Sequence, residues 1–467
     1  MDKNKVFVLL PDGVGLRNFA YSNFYNLGIE QGFNVVFWNN TSFKLQDLGF
    51  PEINIQNAKT HPLTDIYKNA RKHIELNLNI KKTNDAIYDG YRFPFSYKNF
   101  KTSLKTVATR LVIATHNSDK GLQNIRTKIK NQERKTLFYK QSLETLKDEK
   151  PSIIFCTNQR PVVAIAPILA AQDLGIPTAT FIFSWDNLPK ATMVIETDYY
   201  FVWSDHMKKE LLFYYPYIKE EQIFVSGTPQ FENHFDPALK QSKEDFFEKY
   251  QLDSNKKYIC YSGDDITTSP NDPVFLKDVA KAIRNLNSQG YNLGIVFRRC
   301  PVDFSKRFDD VLEEFNDIIV PIDPVWKKNG EEWNTILPTP EDMVLQTNTI
   351  AHTEFVINLG SSMVFDYVSY KKPCVYINYN VAETKYPFWD VEKVYKYIHF
   401  RSMPSQNSVI WLSDRSRIAD KIADVLQNQD LTIEDAKKWF EIISGKEPEN
   451  SSRKIWDGIG EIIKKTI

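Results

Sequence analysis

The sequence has few cysteines and few glycines, no long apolar run and no net charge. Its 467 residues include 4 cysteines and 17 glycines, and 59 Lys and Arg balance 59 Asp and Glu. No apolar run approaches the roughly 18 to 20 residues of a membrane-spanning helix. The start, MDKNKVFVLLPDG, lacks the apolar core and cleavage site of a secretory signal. The zero net charge argues against a general nucleic-acid-binding protein. Together these absences predict a globular protein of the cytoplasm.

The cysteines are far apart, and no two of them have the spacing of a metal site. Each lies in or beside an apolar, strand-like segment: Cys156, Cys260, Cys300 and Cys374. Thiols in such segments are typically buried. We therefore expect four buried thiols and no metal site among them.

Positive charge is concentrated in one region. Residues 101–150 contain 12 Lys or Arg and 5 Asp or Glu, a net charge of +7, in a segment whose pattern is helical. This is either a solvated helical face or a surface for an anionic lipid or an anionic acceptor. The second interpretation predicts peripheral contact with an anionic membrane, at the inner face of the plasma membrane.

Short apolar runs alternate with longer helical patterns in both halves of the chain. Runs such as VFVLLP, FNVVFW and TATFIF, and later KYICYSG, LGIVFR and FVINLG, predict strands separated by helices. This alternation predicts an α/β protein with two doubly wound, Rossmann-like domains. A strand that ends in Gly227, Thr228 and Pro229 and leads into a polar stretch predicts the boundary between the two domains. We expect an N-terminal domain over residues 1–235, a C-terminal domain over 236–430 and helices over 431–467. In one arrangement these last helices cross back to the N-terminal domain.

Open parallel sheets bind ligands beyond the carboxyl ends of their strands, so the loops that follow strands are the candidates. The first, PDGVGLRNF, lacks the third glycine of a dinucleotide fingerprint, which argues against a nicotinamide enzyme. Asp12 in this loop is either a helix cap or a carboxylate that takes a proton from an acceptor hydroxyl. Arg17 and Asn18 either hold an anionic substrate or point into solvent.

Two further strand-end loops of the first half carry polar side chains. The loop TNQRP offers Arg160, and FSWDNLPK crowds Trp185, Asp186 and Asn187 together. A tryptophan with several hydrogen-bonding neighbours in one turn favours a binding role. Trp185 contacts either a sugar or the facing domain.

The second half has a glycine loop and a basic cluster. YICYSGDD ends a strand at Gly263, where backbone N–H groups can approach a phosphate. LGIVFRRCPVDFSKR ends another strand with Arg298 and Arg299, followed by Lys306. Because guanidinium groups bind phosphate in a fork, this cluster predicts a diphosphate ligand. The alternative is surface ion pairing with nearby acids: Asp303, Asp309 and Asp310.

A third phosphate-binding segment is predicted in INLGSSMVFDYVSYKKPCVYINY, where a strand leads through Gly360, Ser361 and Ser362 into a helix. The N–H groups and the dipole of a helix start can hold an anion. Asp366, one turn after Ser362, shares its face and is placed to accept hydrogen bonds from ribose hydroxyls. The alternative is a serine cap with Asp366 as a solvent-facing acid.

Two doubly wound domains, a glycine loop that opens the second, and a serine-rich helix start followed by an acid and a proline resemble the GT-B glycosyltransferases. The motifs NLGSSMVFDYVSYKKP, RRCP and FSWDNL are most similar to bacterial surface-polysaccharide glycosyltransferases and to relatives that transfer glycerol phosphate from CDP-glycerol. The resemblance implies domains that face each other across a cleft, with a nucleotide-diphosphate sugar on the C-terminal domain and a glycan or lipid-linked acceptor on the N-terminal one. It implies glycosyl transfer to an acceptor hydroxyl.

The resemblance also bears on the mechanism. Retaining members commonly carry two glutamates eight residues apart, the second of them seven residues before a proline. Asp366 lies seven residues before Pro373, but the position eight residues before Asp366 is Asn358, which favours inversion. Inverting members commonly place a base on the loop after the first strand, so Asp12 is the expected base, with Asp186 in reserve. No metal or cofactor is expected, because the leaving diphosphate is stabilised by the arginines and the helix start.

Three alternatives stay open. A CDP-glycerol-type transferase would use the same phosphate site, although those relatives usually have His where this chain has Cys300. A nucleotide-sugar 2-epimerase of the same fold would need no acceptor. A non-catalytic protein would bind the nucleotide sugar without turnover.

Overall fold

The computed structural model describes residues 4–328, 336–382 and 384–466, which divide into two units. Unit 1 comprises the chain up to Pro229, the short segment Tyr397–His399 and the chain from Ile443 onward. Unit 2 comprises Gln230–Lys396 and Phe400–Ile442. Among the described residues, no helix is long and apolar enough to cross a membrane.

The sheet of unit 1 is parallel throughout. Its strands are β1 (Lys5–Leu10), β2 (Asn34–Asn39), β3 (Glu52–Asn54), β4 (Ile153–Cys156), β5 (Thr178–Phe181), β6 (Tyr199–Val202) and β7 (Ile223–Val225). Their order across the sheet is β3-β2-β1-β4-β5-β6-β7. The central strands are continuous apolar runs because both faces of a parallel sheet are covered by helices. The order reverses beside β1, and such a switch point is where doubly wound sheets bind ligands.

Helices precede or follow these strands as the sequence pattern predicts. They are α1 (Leu16–Phe19), α2 (Phe24–Glu30), α3 (Thr64–Thr83), α4 (Phe100–His116), α5 (Asp119–Glu133), α6 (Leu137–Glu149), α7 (Ile165–Asp173) and α8 (Asp205–Tyr214). The basic segment 101–150 is helical as predicted. Its three helices begin at side-chain caps, in which Asn99, Ser118 and Thr136 accept hydrogen bonds from backbone N–H groups of the first turn.

Unit 2 repeats the architecture with six parallel strands. They are β8 (Lys257–Ser262), β9 (Leu293–Arg298), β10 (Ile319–Pro321), β13 (Val356–Asn358), β14 (Cys374–Ile377) and β15 (Ile410–Leu412), and a separate antiparallel pair is formed by β11 (Trp326–Lys328) and β12 (Ile336–Pro338). The order of the main sheet is β10-β9-β8-β13-β14-β15. This is the Rossmann order, with the switch point between β8 and β13.

The helices after the join continue the alternation. They are α9 (Lys243–Lys249), α10 (Asp272–Ser288), α11 (Asp309–Glu314), α12 (Pro340–His352), α13 (Met363–Ser369), α14 (Val391–Lys396), α15 (Ile418–Gln427), α16 (Ile433–Ser444) and α17 (Ser451–Thr466). The segments PVFLKDVAKAIRNLNSQG and PEDMVLQTN are helical as predicted, in α10 and α12.

The last helix, α17, belongs to unit 1. Trp456 on this helix is fully buried and stacks on Phe24 and Phe33, with ring centroids 4.6 and 5.0 Å away. Its indole N–H donates to the carbonyl of Phe24 at 2.7 Å. A Cβ at Gly28 would lie 2.4 Å from the Trp456 ring, so glycine is required where α2 meets α17. The final helix is therefore part of the core of unit 1.

Two details differ from the sequence predictions. The apolar pattern from about Asn18 to Gln31 predicts a single helix, but the structure has two short helices there, α1 and α2. Cys156, Cys260 and Cys374 are buried as predicted, but Cys300 is only partly buried. The reason is its position in the loop after β9, where it lines a surface pocket instead of the core.

Candidate functional site

The loops selected from the sequence lie at neighbouring strand ends in each unit. In unit 2 they follow β9, β8 and β13, which are adjacent in the sheet. In unit 1 they follow β1, β4 and β5, which are also adjacent. Because all these strands are parallel, each set of loops converges on one carboxyl edge.

The loop after β8 begins with Gly263, whose N–H donates to the carbonyl of Arg298 at 2.9 Å. A Cβ at Gly263 would lie 3.1 Å from the Phe297 ring, so the loop approaches β9 closely. The next residue, Asp264, donates its backbone N–H to the carboxylate of Asp272, at 2.6 Å. This anchors the loop to the start of α10.

Two acids in this loop have raised pKa values. Burial, together with the nearby charges of Asp265 and Asp272, raises the pKa of Asp264 to about 8. Burial also raises the pKa of Asp272 to about 6, against the hydrogen bond from Tyr261. Asp264 is therefore largely neutral near pH 7 and adds little negative charge beside an anionic ligand.

Arg298 is buried at the end of β9 and paired with an acid. Its Nη2 donates to both carboxylate oxygens of Asp342, at 3.0 and 2.9 Å. Asp342 also accepts from the indole N–H of Trp326 at 2.7 Å. The Nη2 group of Arg298 therefore serves the structure, and Nη1 is buried without a hydrogen-bond partner among the described residues.

Arg299 contacts a different set of residues. Its Nη1 donates to the carbonyl of Ser305 at 2.6 Å, and its guanidinium lies 3.5 Å from Asp323 and 3.8 Å from Asp309. Arg299 and Lys306 line a pocket of about 300 Å³ together with aromatic rings of Phe304 and Trp326. The structure thus separates Arg298 from Arg299 and Lys306. Of the ion pairs that the sequence offered as an alternative, two are present: Arg299 pairs with Asp309, and Arg307 of the same segment pairs with Asp303 at 2.7 Å.

The turn after β13 has a backbone that only glycine adopts readily. Gly360 has φ +66°, and a Cβ there would lie 3.0 Å from Val394 and 3.1 Å from Phe400. The N–H of Ser361 donates to the side-chain oxygen of Asn358 at 3.0 Å, and its hydroxyl accepts from Met363 N–H at 3.3 Å. Ser361 therefore acts as a cap, which was the alternative to phosphate binding.

Ser362 directly precedes α13 and is partly buried, without a side-chain capping hydrogen bond. Asn358, considered in the sequence only as a missing acid, holds this turn through its amide. An asparagine five residues before the helix start, whose amide oxygen can accept from the N–H three residues later, is the signal that could have identified this role.

Asp366 lies inside unit 2 and not on its surface. It is buried, and its Oδ1 accepts from Nε2 of His234 at 2.7 Å and from Nε2 of Gln346 at 3.4 Å. The sequence left Asp366 either as a ribose ligand or as a solvent-facing acid. The solvent-facing alternative is wrong, because α13 packs this face into the unit. Sequence reasoning missed His234, which lies in the segment taken only as the domain join.

In unit 1, Asp12 is the cap that the sequence offered as one of its two roles. It caps the turn after β1 by accepting from Val14 N–H at 3.2 Å, and the amide of Asn158 donates to it at 3.1 Å. Burial raises the pKa of Asp12, although the charge of Arg160 and the hydrogen bond from Asn158 act against this. A buried carboxylate with a raised pKa at a strand end suits a general base.

The pKa of Asp186 is shifted in the opposite direction to that of Asp12. Burial acts to raise its pKa, but the ammonium of Lys190, with which it forms an ion pair, helps to hold the pKa well below its usual range. Asn187 also donates to it at 2.9 Å. A carboxylate stabilised in its charged form is a weak base, so the reserve role for Asp186 is disfavoured.

The remaining side chains predicted for the acceptor are largely engaged within unit 1. Trp185 is buried and packs edge-on against His399, with ring centroids 4.7 Å apart. Asn187 is buried and accepts from Gln159 at 2.9 Å. Asn18 is buried on α1, whereas two cations are partly exposed: Arg17 and Arg160. The contact of His399 with Trp185 joins segments far apart in the chain, which sequence spacing cannot reveal.

Comparisons with known proteins find structural similarity without sequence similarity. No protein-family model matches the sequence. No curated protein matches it either. Solved structures match over almost their whole length, among them three from different organisms.

The first is a UDP-GlcNAc 2-epimerase from Methanocaldococcus jannaschii, 14% identical, covering 99% of both chains with a TM-score of 0.53. A Listeria monocytogenes protein assigned as a UDP-N-acetylglucosamine 2-epimerase is 12% identical and covers 99% of this chain and 98% of its own, with a TM-score of 0.55. A glycosyltransferase from Rickettsia africae is 12% identical and covers 100% of this chain and 99% of its own, with a TM-score of 0.50. The chain therefore has the GT-B fold of two parallel-sheet α/β domains.

Proposed function

We propose that the protein is an enzyme that acts on a nucleotide-diphosphate sugar bound at the carboxyl edge of the unit 2 sheet. The observation that carries this proposal is the convergence of the loops after β9, β8 and β13 on that edge. They supply Gly263 and Gly360 for close backbone approach, and the unpartnered Nη1 of Arg298 for a phosphate oxygen. The proposed chemistry uses no metal and no cofactor.

The favoured reaction is 2-epimerisation of a UDP-N-acetylhexosamine. This choice rests on the similar fold of the UDP-N-acetylglucosamine 2-epimerases. Loss of the C2 proton is balanced by breaking the C1–O bond to UDP, which leaves a C1–C2 double bond. UDP then adds back to C1 while C2 takes a proton on the other face, so the enzyme needs a group that accepts the first proton and one that supplies the second. Asp12, buried and with a raised pKa, is the proposed proton-accepting group.

The second candidate is inverting transfer of the sugar to a hydroxyl of a glycan or lipid-linked acceptor, in surface-polysaccharide synthesis. It is supported by the glycosyltransferase of the same fold and by the motif resemblance. Here Asp12 would take the proton of the hydroxyl as its oxygen attacks the anomeric carbon. The bond to the nucleoside diphosphate would break, with its charge stabilised by the loops of unit 2. Arg17 and Arg160 would contact the acceptor.

Product analysis separates the two reactions. Purified protein is incubated with UDP-N-acetylglucosamine alone in D₂O and followed by NMR. Appearance of the C2 epimer with deuterium at C2 would establish epimerisation. UDP release that depends on an added glycan or lipid-linked hydroxyl acceptor would establish transfer. If UDP-, GDP-, CDP- and dTDP-sugars all fail to turn over and produce no thermal shift, the proposed function is wrong.

Asp12→Asn tests the proton-accepting group. Either reaction should slow by about 10²- to 10⁴-fold, because general base catalysis contributes this much, while the thermal shift with the nucleotide sugar persists. Asp47→Asn is the matched control, since Asp47 is an exposed acid of the same unit. Wild-type turnover in Asp12→Asn would assign the role to another residue.

A further inference from the structure

Helix α4 presents a row of apolar residues to solvent, while Val112 and Ile113 near its end pack against the core of unit 1. Phe100, Leu104, Val107 and Leu111 recur at the spacing of one helical face, and they are 85%, 61%, 58% and 64% exposed. A soluble protein normally turns such a stripe inward, because its burial stabilises the fold. Here the stripe is an unpartnered apolar face.

The opposite face of α4 is what packs on unit 1, and it is rich in threonine. Thr106 and Thr109 are buried, and their hydroxyls donate to the carbonyls of Ser96 and Lys105 at 2.8 Å each. The helix therefore satisfies its inner polar groups locally and is held in place without its apolar stripe. The orientation of the helix is set by Val112 and Ile113, which pack against the core of unit 1, and by the hydrogen bond from Thr106 to Ser96, so the stripe stays outward.

The extended segment before α4 enlarges the apolar surface. Phe93 is 77% exposed, with the ammonium of Lys72 4.4 Å from its ring centroid, and Tyr97 is 52% exposed. Exposed apolar side chains that stand singly are normal on proteins, but a contiguous group marks an interaction site. We call residues 93–97 with the stripe of α4 the α4 surface.

The charges within this segment are of one sign, although Lys105 forms an ion pair with Asp65 of α3 at 3.5 Å. Residues 93–118 contain Lys98, Lys101, Lys105 and Arg110 and no Asp or Glu. On the helical wheel, Lys101 and Arg110 flank the stripe on opposite sides. An apolar stripe bordered by cations is the pattern of a helix that lies in the interface of an anionic membrane.

We propose that the α4 surface docks the protein on an anionic lipid bilayer, with the stripe among the acyl chains and the flanking cations at the headgroups. A second copy of the chain fits less well, since pairing this surface with itself would bring cations of the same sign together. The surface and the reaction proposed above are separate, because lipid binding requires no nucleotide sugar. Failure of one leaves the other intact.

Vesicle co-sedimentation tests the proposal. The full chain is mixed with vesicles of phosphatidylcholine alone, or with vesicles in which about one lipid in three is the anionic phosphatidylglycerol. We expect sedimentation with the anionic vesicles at low salt, weaker binding at high salt, and little binding to the neutral vesicles. Absence of binding to anionic vesicles at low salt overturns the proposal.

Variants link the binding to this surface. Leu104→Gln, Val107→Gln and Leu111→Gln combined should weaken partitioning at least tenfold, while the exposed positions leave the far-UV circular dichroism unchanged. Leu137→Gln and Leu431→Gln are matched controls, since these leucines are also highly exposed but lie elsewhere, and they should bind as wild type. If the triple variant binds as wild type, or converts a dimer of the wild type to a monomer, the occupant is not a bilayer.

Discussion

Replacing Asp366 with alanine distinguishes a ligand-binding carboxylate from one that stabilises unit 2. The carboxylate is buried 2.7 Å from His234 Nε2, and Gln346 adds a longer hydrogen bond of 3.4 Å. With alanine, the imidazole N–H loses its acceptor in a site without access to water. A buried donor left unsatisfied costs about 1–3 kcal/mol. With the weaker second bond and the cavity left behind, we expect the free energy of unfolding to fall by about 2–4 kcal/mol.

Urea unfolding followed by circular dichroism and tryptophan fluorescence measures this loss. Asp366→Asn is the matched control, because its amide oxygen can still accept from His234, and it should lose about half as much or less. A double-mutant cycle with His234→Ala isolates the pair, for which we expect a coupling of about 1–3 kcal/mol. The thermal shift with UDP is measured under conditions where each variant is folded.

One combination of results would refute the reasoning. If Asp366→Ala unfolds at the wild-type urea midpoint but no longer shows a UDP thermal shift, the carboxylate is a ligand group and its burial does not stabilise the unit. Additive effects of the two single variants would show that His234 and Asp366 do not interact energetically.

Two further predictions concern one unit each. The pKa of Asp264 is raised from 3.8 to about 8, so its ionisation opposes folding as the pH rises from about 4 to about 8. Asp264→Asn should match the stability of wild type near pH 4 and be about 2–4 kcal/mol more stable at pH 9. This is less than the roughly 6 kcal/mol that corresponds to the whole pKa shift, because Asp272 shares the effect. Urea unfolding at both pH values measures the difference, and a variant as stable as wild type at pH 9 as well as at pH 4 contradicts the prediction. Trp456→Ala removes a buried ring stacked on Phe24 and should destabilise unit 1 by about 3–5 kcal/mol in urea unfolding; a loss below about 1 kcal/mol would mean that α17 is not part of its core.

The candidate site was predictable at the level of loops and not of individual contacts. Strand ends are read from local apolar runs, and a parallel sheet then brings neighbouring loops to one edge. The partner of Arg298 is Asp342, 44 residues away, and nothing in local spacing selects that acid. Asp186 and Asp12 both follow strands, yet Lys190 stabilises the charge of one and burial disfavours the charge of the other. Their pKa shifts depend on surroundings that only the fold assembles.

The sequence by itself determined the two parallel α/β sheets and the helical basic segment, because apolar periodicity and helix caps act over a few residues. The tertiary structure decided which face of each helix is buried. Spacing placed Asp366 one turn from Ser362, but packing turned it inward to His234. Packing likewise left the stripe of α4 outward and drew α17 into unit 1 around Trp456. These outcomes depend on contacts between distant segments, whose free energy is available only when the whole unit has folded.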